Sequence, residues 1–158
     1  MRNGWIVAAA LIFVSLFVPR AGTLAAPGDA CTMLTDMQVS KALGVTVGAG
    51  SPIGAATSCQ WSGKGKIATL TVNNVISGKT ALERFETGKT SKLPGITIEP
   101  TSGVGDDAYY VFYSGTTRAM GLVVKKGKSA FEVRVYGFDN DAAKPVAKSL
   151  AQIVAEKL

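Results

Sequence analysis

Three consecutive strand-like segments near the C-terminus limit the fold of this chain more than any other feature. They read AYYVFY, AMGLVVKK and AFEVRVYGF, and only the short turns SGTT and GKS separate the successive runs. The segments are rich in β-branched and aromatic residues, which favour a pleated sheet. Because connections this short cannot hold a crossover, the three strands are expected to pair as an antiparallel meander.

Weaker strand signals precede the meander. CQWS and Ile67 to Val72 flank the turn GKGK and are expected to form a hairpin, and the second of these strands alternates between two faces. Ile96 to Glu99 forms a short strand between two prolines. The Gly-rich segment between Leu43 and Cys59 is expected to be a flexible connection with a short strand at Val45 to Val47.

Two capping boxes predict the first two helices. Thr35 with Gln38, and Thr80 with Glu83, each place a hydroxyl three residues before a side chain that reaches back to the N-cap amide. The first helix is therefore expected at residues 36–43.

Gly88 is expected to end the second helix, and a third helix is expected to follow Asp141 as its N-cap. Apolar residues recur at helical spacing through this C-terminal segment: Val146, Leu150, Ile153, Val154 and Leu158. Together the elements predict an α+β fold. It consists of a single antiparallel sheet of about five to six strands with a C-terminal meander, covered by an N-terminal helix, an inserted helix and a long C-terminal helix.

The first 25 residues have the features of a secretory signal peptide. Arg2 precedes an uncharged stretch from Trp5 to Val18, which is shorter than the roughly 20 apolar residues of a membrane-spanning helix. Small residues follow, and cleavage is expected after Ala25, which leaves residues 26–158 as one α+β domain without a transmembrane span. An uncleaved N-terminal anchor is the alternative interpretation.

The chain has two cysteines, Cys31 and Cys59. Cys31 is a candidate for lipid attachment, for a reactive thiol or for a disulfide. The residues before it, GDA, include a charge and do not form a lipobox. An even cysteine count in an exported chain favours a disulfide between the two, which would contribute roughly 3.5 kcal/mol of stability. We therefore expect a periplasmic or secreted protein that is not lipid-anchored.

The composition excludes several kinds of site. The chain contains no histidine, so Ser-His triads and His-ligated metals are excluded. The sequence from Gly78 to Thr80 resembles the end of a phosphate-binding loop, but Asn73 stands where the pattern requires its first glycine. Asp139 and Asp141 have the first spacing of a calcium loop, and the ligand series then stops at Ala143. No cofactor and no metal are expected.

Asp106 and Asp107 are the remaining acid–base candidates. Adjacent residues that enter a strand point to opposite faces, so the two carboxylates are poorly placed to share a proton. A role in the turn is the favoured interpretation, and no enzymatic activity is expected. A hydrolase that uses either aspartate is the competing hypothesis.

The basic residues lie mainly in hairpin turns. Loss of Arg2 and Arg20 with the signal peptide lowers the basic count from 17 to 15 against 11 acidic residues, which leaves a net charge of +4. The turn lysines are Lys64, Lys66, Lys125, Lys126 and Lys128. An exported domain seldom meets nucleic acid, so no nucleic-acid partner is expected, whereas contact with an anionic envelope component is an alternative to a purely solubilising role.

The strand AYYVFY supplies the candidate binding surface Tyr109, Tyr110 and Tyr113. Tyr109 and Tyr113 share one face with Val111, and Tyr110 lies on the other. If one face lacks full cover, its tyrosines would line a ligand or partner site. If helices bury both faces, the same residues belong to the core.

The ordered set CTMLTDMQVSKALG, CQWS, GVGDDAYY, GLVVKKGKSAFEVRV and AKSLAQIVAEKL resembles a family of small secreted bacterial proteins and lipoproteins of unknown function. The resemblance covers Cys31 to Leu158 and implies a PsbP-like α/β/α sandwich with similarly placed paired cysteines and no catalytic residues. We expect an exported, non-enzymatic binding or accessory domain that recognises an unidentified protein or cell-envelope component. The alternative is a periplasmic inhibitor or immunity protein against a secreted hydrolase or toxin.

Overall fold

The computed structural model describes residues 29–73, 77–115 and 119–158. The predicted signal peptide, residues 1–25, lies outside these ranges. The described strands are β1 (Ser51–Ile53), β2 (Ala55–Gly63), β3 (Lys66–Val72), β4 (Ile96–Thr101), β5 (Asp107–Tyr113), β6 (Ala119–Lys126) and β7 (Ser129–Tyr136). The described helices are α1 (Asp36–Leu43), α2 (Ala81–Lys89) and α3 (Asn140–Ala155), and a single 3₁₀ turn at Ala30–Thr32 precedes them.

All seven described strands form one antiparallel sheet in the order β1-β2-β3-β7-β6-β5-β4. This confirms the predicted α+β class, the single antiparallel sheet and the β5-β6-β7 meander. The sheet has seven strands where about five to six were expected. β4 and β1 are its two edge strands.

The region before Cys59 differs from the prediction. It was expected to be a flexible connection with a strand at residues 45–47, but those residues are not in a strand, and β1 forms at Ser51–Ile53 instead. Gly54, with a φ of +73°, turns the chain back into β2. Every residue of β1 is exposed, so the strand has no alternation of apolar and polar residues by which the sequence could reveal it.

The capping boxes of α1 and α2 both form. In α1, the Gln38 amide donates to Thr35 Oγ1 at 3.2 Å, and the Thr35 amide donates to Gln38 Oε1 at 2.9 Å. Thr80 and Glu83 repeat this arrangement in α2. Both N-termini therefore lie where the sequence predicted them. The N-cap of α3 is Asp139, two residues before the expected cap Asp141.

α1 and α3 pack together on one face of the sheet, which we call the closed face. Large apolar side chains fill the space between them and the strands: Val39, Leu43, Trp61, Leu70, Met120, Leu122, Val124, Val133, Val135, Leu150 and Val154. The predicted disulfide between Cys31 and Cys59 is present, and it fastens the 3₁₀ turn to β2 with Cα atoms 5.0 Å apart. Cys59 is fully buried in this core.

The opposite face, which we call the open face, has a different cover. α2 packs on it against β6 and β7 and forms a smaller apolar cluster with β5 through Phe85, Tyr109 and Val111. Among the described helices, none is long and apolar enough to cross a membrane.

Candidate functional site

A cleft of about 420 Å³ lies between α2 and the open face of the sheet. This volume is within the range of roughly 300 to 1,000 Å³ that is usual for small-molecule pockets. Most of its lining is apolar or aromatic: Ala81, Phe85, Leu93, Ile96, Ile98, Tyr109, Val111, Tyr113, Val123, Ala130 and Phe131. The remaining lining places a small number of polar groups inside an apolar hollow, as in many binding sites.

Strand alternation and register bring the polar groups of the lining together. Val111 of β5 lies opposite Gly121 of β6, and Gly121 lies opposite Arg134 of β7. Tyr113 lies two residues after Val111 on β5, and Glu132 lies two residues before Arg134 on β7. Their side chains therefore share the open face with Arg134. Two strands, β5 and β7, therefore contribute polar side chains to one cluster, which meets across Gly121 of β6.

Tyr113, Glu132 and Arg134 form a connected network at this end of the cleft. Arg134 donates to Glu132 Oε1 through Nε at 2.9 Å and through Nη2 at 2.7 Å, and Nη2 also donates to the Tyr113 hydroxyl at 2.9 Å. The Tyr113 hydroxyl lies 3.3 Å from the same Glu132 oxygen and donates to it. The guanidinium is also stacked over the Tyr113 ring, 4.7 Å from its centroid.

Gly121 makes room for this network. A Cβ atom at position 121 would lie 2.5 Å from Glu132 Oε1. Any residue larger than glycine would therefore overlap the Glu132 carboxylate and displace it. A glycine inside a strand weakens the sheet slightly and often marks a close approach by another group. Here that group is the Glu132 carboxylate.

Burial and charge fix the ionisation of the network. Burial raises the pKa of Tyr113 far above its usual value, and the neighbouring Glu132 carboxylate raises it further, so the phenol is neutral at ordinary pH. Burial alone would lower the pKa of Arg134, but the charge of Glu132, the neighbouring Tyr113 and the side-chain hydrogen bonds together outweigh burial, so the pKa is raised and the guanidinium stays charged.

Tyr109 supports α2 at another part of the cleft. Its hydroxyl donates to the Phe85 carbonyl at 3.3 Å, and the two rings are 5.1 Å apart. Burial, followed by the Glu132 charge, raises the pKa of Tyr109 to about 12. Gly88 was predicted to end α2, but the helix continues to Lys89, and a Cβ at Gly88 would overlap the Tyr109 hydroxyl. Gly88 therefore allows close packing of the helix on Tyr109 instead of ending it.

Ion pairs hold α2 to the neighbouring strands. Lys89 pairs with Asp107, and Lys125 pairs with Glu86 at 2.7 Å. The hydrogen bond from Lys89 is the main reason that the pKa of Asp107 is lowered. Asp107 is therefore a structural anchor for the helix that covers the cleft.

Asp106 has a separate structural role in the turn between β6 and β7. Its carboxylate accepts the Gly127 amide at 2.6 Å and lies 3.3 Å from Lys126 Nζ. The Gly127 amide, followed by Lys126, lowers the pKa of Asp106. Asp106 and Asp107 thus contact different elements, the β6–β7 turn and α2. Their carboxylates are not arranged to share a proton.

The three predicted tyrosines are divided between the faces. Tyr109 and Tyr113 line the cleft, whereas Tyr110 is only 5 % exposed and belongs to the closed-face core. Lys144 of α3 lies 5.7 Å from the Tyr110 ring centroid.

Within ranges 29–73, 77–115 and 119–158, no cluster of three or more carboxylate or cysteine side chains is arranged to hold a metal ion.

Several of the turn lysines are engaged within the fold. Lys66 donates to the Leu43 carbonyl at 2.9 Å and lies over the Phe138 ring. Lys125 and Lys126 pair with Glu86 and Asp106. Much of the charge that motivated an anionic envelope partner is therefore neutralised or used locally.

Sequence reasoning missed Glu132 and Arg134 as site residues. In AFEVRVYGF they alternate with apolar residues, and a charged residue on one face of a half-buried strand is ordinary. The available signal was Gly121 in the middle of AMGLVVKK, because an interior strand glycine indicates a close approach.

Comparisons with protein-family models, with curated proteins and with solved structures found no match to this chain.

Proposed function

We propose that this chain is an exported, non-enzymatic binding domain whose ligand occupies the cleft under α2. The observation that carries the proposal is a cleft with an apolar lining that contains an ordered Tyr113–Glu132–Arg134 network. Exposed apolar surface costs roughly 25 cal/mol per Å² compared with buried surface. A ligand that covers Ile96, Ile98 and Val123 would recover that free energy.

The chemistry of the cleft favours binding over catalysis. Tyr109 and Tyr113 both have raised pKa values, so neither is poised to act as a base or nucleophile near neutral pH. Asp106 and Asp107 are held by partners outside the cleft lining. The disulfide supports export. We include in this proposal that the chain is related to secreted proteins with a PsbP-like sandwich.

The concave shape favours a small molecule, or a small apolar part of a cell-envelope component, over a large protein surface. The inhibitor hypothesis was motivated by the tyrosine-rich strand. β5 lies inside the sheet between β4 and β6, and Tyr109 and Tyr110 are only 3 % and 5 % exposed. These tyrosines do not form a protruding surface of the kind that inserts into an enzyme.

The proposal is tested by titrating the purified mature protein with N-phenyl-1-naphthylamine, a neutral apolar dye whose fluorescence rises on leaving water. We expect saturable binding to the wild type. Val123→Phe, which fills the cleft from β6, should weaken binding at least about tenfold, which corresponds to roughly 1.4 kcal/mol. Met37→Phe, at a position 81 % exposed on α1, is the matched control and should bind like the wild type.

Absence of saturable binding would refute the proposal. So would equal affinity of the wild type and Val123→Phe, because the dye would then bind elsewhere. Thermal unfolding of each variant, measured in parallel, separates loss of the site from loss of the fold.

A further inference from the structure

One oxygen of the Glu132 carboxylate accepts all the hydrogen bonds that the described residues give to this side chain. Arg134 donates to Oε1 through Nε at 2.9 Å and through Nη2 at 2.7 Å, and the Tyr113 hydroxyl lies 3.3 Å from the same atom. An ionised carboxylate has about two lone pairs on each oxygen, so three donors use the full capacity of Oε1. The second oxygen, Oε2, has no donor within hydrogen-bond distance in ranges 29–73, 77–115 and 119–158.

The Oε2 atom remains accessible from the cleft. The Glu132 side chain is 25 % exposed and belongs to the cleft lining. In the described part of the chain, Oε2 is not among the buried polar atoms that lack a partner, so water or a ligand can reach it. An ionised acceptor of this kind forms hydrogen bonds roughly twice as strong as a neutral one does.

The strand register places an apolar surface beside this acceptor. The Glu132 carboxylate lies over Gly121 of β6. Val111 is next to Gly121 on β5, Ile98 is next to Val111 on β4, and both side chains line the cleft. Neighbouring strands lie about 4.8 Å apart, so roughly 10 Å of sheet separates the carboxylate from the edge strand.

The charge of Glu132 is already balanced by the Arg134 guanidinium. An ionic headgroup that entered this end of the cleft would lose hydration without gaining a counter-ion of its own. A hydroxyl group costs less to dehydrate and can donate the hydrogen bond that Oε2 lacks. Arg134 and Tyr113 hold the carboxylate in place, so little conformational entropy is lost when such a bond forms.

We propose that the ligand of the cleft is a neutral apolar alcohol or phenol. Its hydroxyl group donates to Glu132 Oε2, and its hydrocarbon body lies against Val111 and Ile98. This inference rests on the proposed function and adds the polar group by which the cleft selects its ligand.

Two matched competitors test the need for a donor in the wild-type protein. 2-Naphthol and 2-methoxynaphthalene have the same fused rings, and methylation removes only the hydroxyl proton. Each is titrated against N-phenyl-1-naphthylamine bound to the protein, and its dissociation constant is obtained from the loss of dye fluorescence. We expect 2-naphthol to bind about tenfold more tightly, as a hydrogen bond to a charged acceptor would give. Hydrophobicity alone predicts the reverse order, because the ether is the more apolar molecule.

A substitution at Glu132 shows where the donor binds. In Glu132→Gln, the amide oxygen should keep the Oε1 position because Arg134 can only donate, and the amide NH₂ group then replaces Oε2. This group accepts no hydrogen bond, so the preference for 2-naphthol should fall to one or below. Glu99→Gln is the matched control, because Glu99 is also a strand glutamate paired with a cation, Lys144, and lies outside the cleft lining. It should keep the wild-type preference.

The outcomes separate the two proposals. The donor inference is wrong, and the binding function stands, if the ether binds the wild type as tightly as 2-naphthol, if neither competitor displaces a dye that itself saturates, or if Glu132→Gln keeps the wild-type preference. The binding function itself is wrong if the dye does not saturate, or if Val123→Phe binds it as the wild type does. Thermal unfolding of Glu132→Gln is measured in parallel, and the wild-type preference decides the question if that variant is unstable.

Discussion

The two faces of the sheet are made by alternate residues of the same strands, yet they differ in cover and in chemistry. On β6, Met120, Leu122 and Val124 point to the closed face and are at most 1 % exposed. Gly121, Val123 and Lys125 point to the open face, where α2 covers only part of the surface. Neighbouring residues on one strand therefore lie in a sealed core and in an accessible cleft.

The difference between the faces separates stability from binding. Two helices and a disulfide seal the closed face, and its buried cluster contains apolar and aromatic residues but no charged one within the described part of the chain. The open face holds the charged pair Glu132–Arg134 and a glycine where a larger side chain would close the gap. Folding free energy should come mainly from the first face, which leaves the second free to keep an incompletely filled site.

The largest expected effect concerns the disulfide of the closed face. Replacing Cys31 and Cys59 together with alanine should lower the free energy of unfolding by roughly 3.5 kcal/mol, because the unfolded chain regains the entropy of a 28-residue loop. Urea unfolding of the double variant and the wild type measures this loss. A change below about 1 kcal/mol would show that the closed face does not depend on this link.

Two adjacent valines compare the faces directly. Val124→Ala should cost about 2 to 3 kcal/mol, since Val124 is fully buried under α3. Val123→Ala, on the same strand but in the cleft lining, should cost less than about 1 kcal/mol. Urea midpoints for both variants give the comparison, and equal costs would contradict the distinction between a sealed and an accessible face.

Gly88 tests how closely α2 must approach the open face. Gly88→Ala should cost about 1 to 2 kcal/mol, because its methyl group would overlap the Tyr109 hydroxyl. Tyr109→Phe removes that hydroxyl and should recover most of the loss when the two changes are combined. A double-mutant cycle by thermal unfolding measures the coupling, and simple additivity would show that α2 adjusts without this contact.

The smallest effect concerns the acid dependence of the α2 anchor. Lys89 lowers the pKa of Asp107, so the carboxylate stabilises the fold above its ordinary pKa of about 4, and this contribution is lost as the pH falls through the lowered value. Asp107→Asn should therefore cost less than about 1 kcal/mol at pH 7. The difference from the wild type should shrink as the pH falls below about 4 and vanish at an acid pH at which Asp107 is protonated in the folded protein. A difference that persists at that pH would mean that the pair does not act through charge.

The sequence predicted correctly those elements that depend on interactions between residues close together in the chain. The capping boxes at Thr35 and Thr80 predicted two helix starts correctly because the capping bonds join residues three positions apart. The meander followed from strand composition and short turns, and the disulfide followed from the cysteine count. None of these inferences required knowledge of distant contacts.

The site itself depends on contacts that the sequence does not show. Gly88 has the same appearance whether it ends a helix or admits Tyr109, and only the packed structure distinguishes the two. Glu132 and Arg134 meet Tyr113 because the register sets Gly121 between β5 and β7. Alternation places each residue on a face of its own strand, but the register decides which faces coincide.

Methyl NMR of the wild-type protein during titration with N-phenyl-1-naphthylamine tests the central claim most directly. The account predicts that the methyl signals of Val123 and Ile98, in the cleft lining, shift with the dye concentration and saturate together. The signals of Leu122 and Val124, which lie beside Val123 on β6 but belong to the sealed core, should shift much less. Shifts of equal size on both faces, or shifts confined to the closed face, would contradict the account.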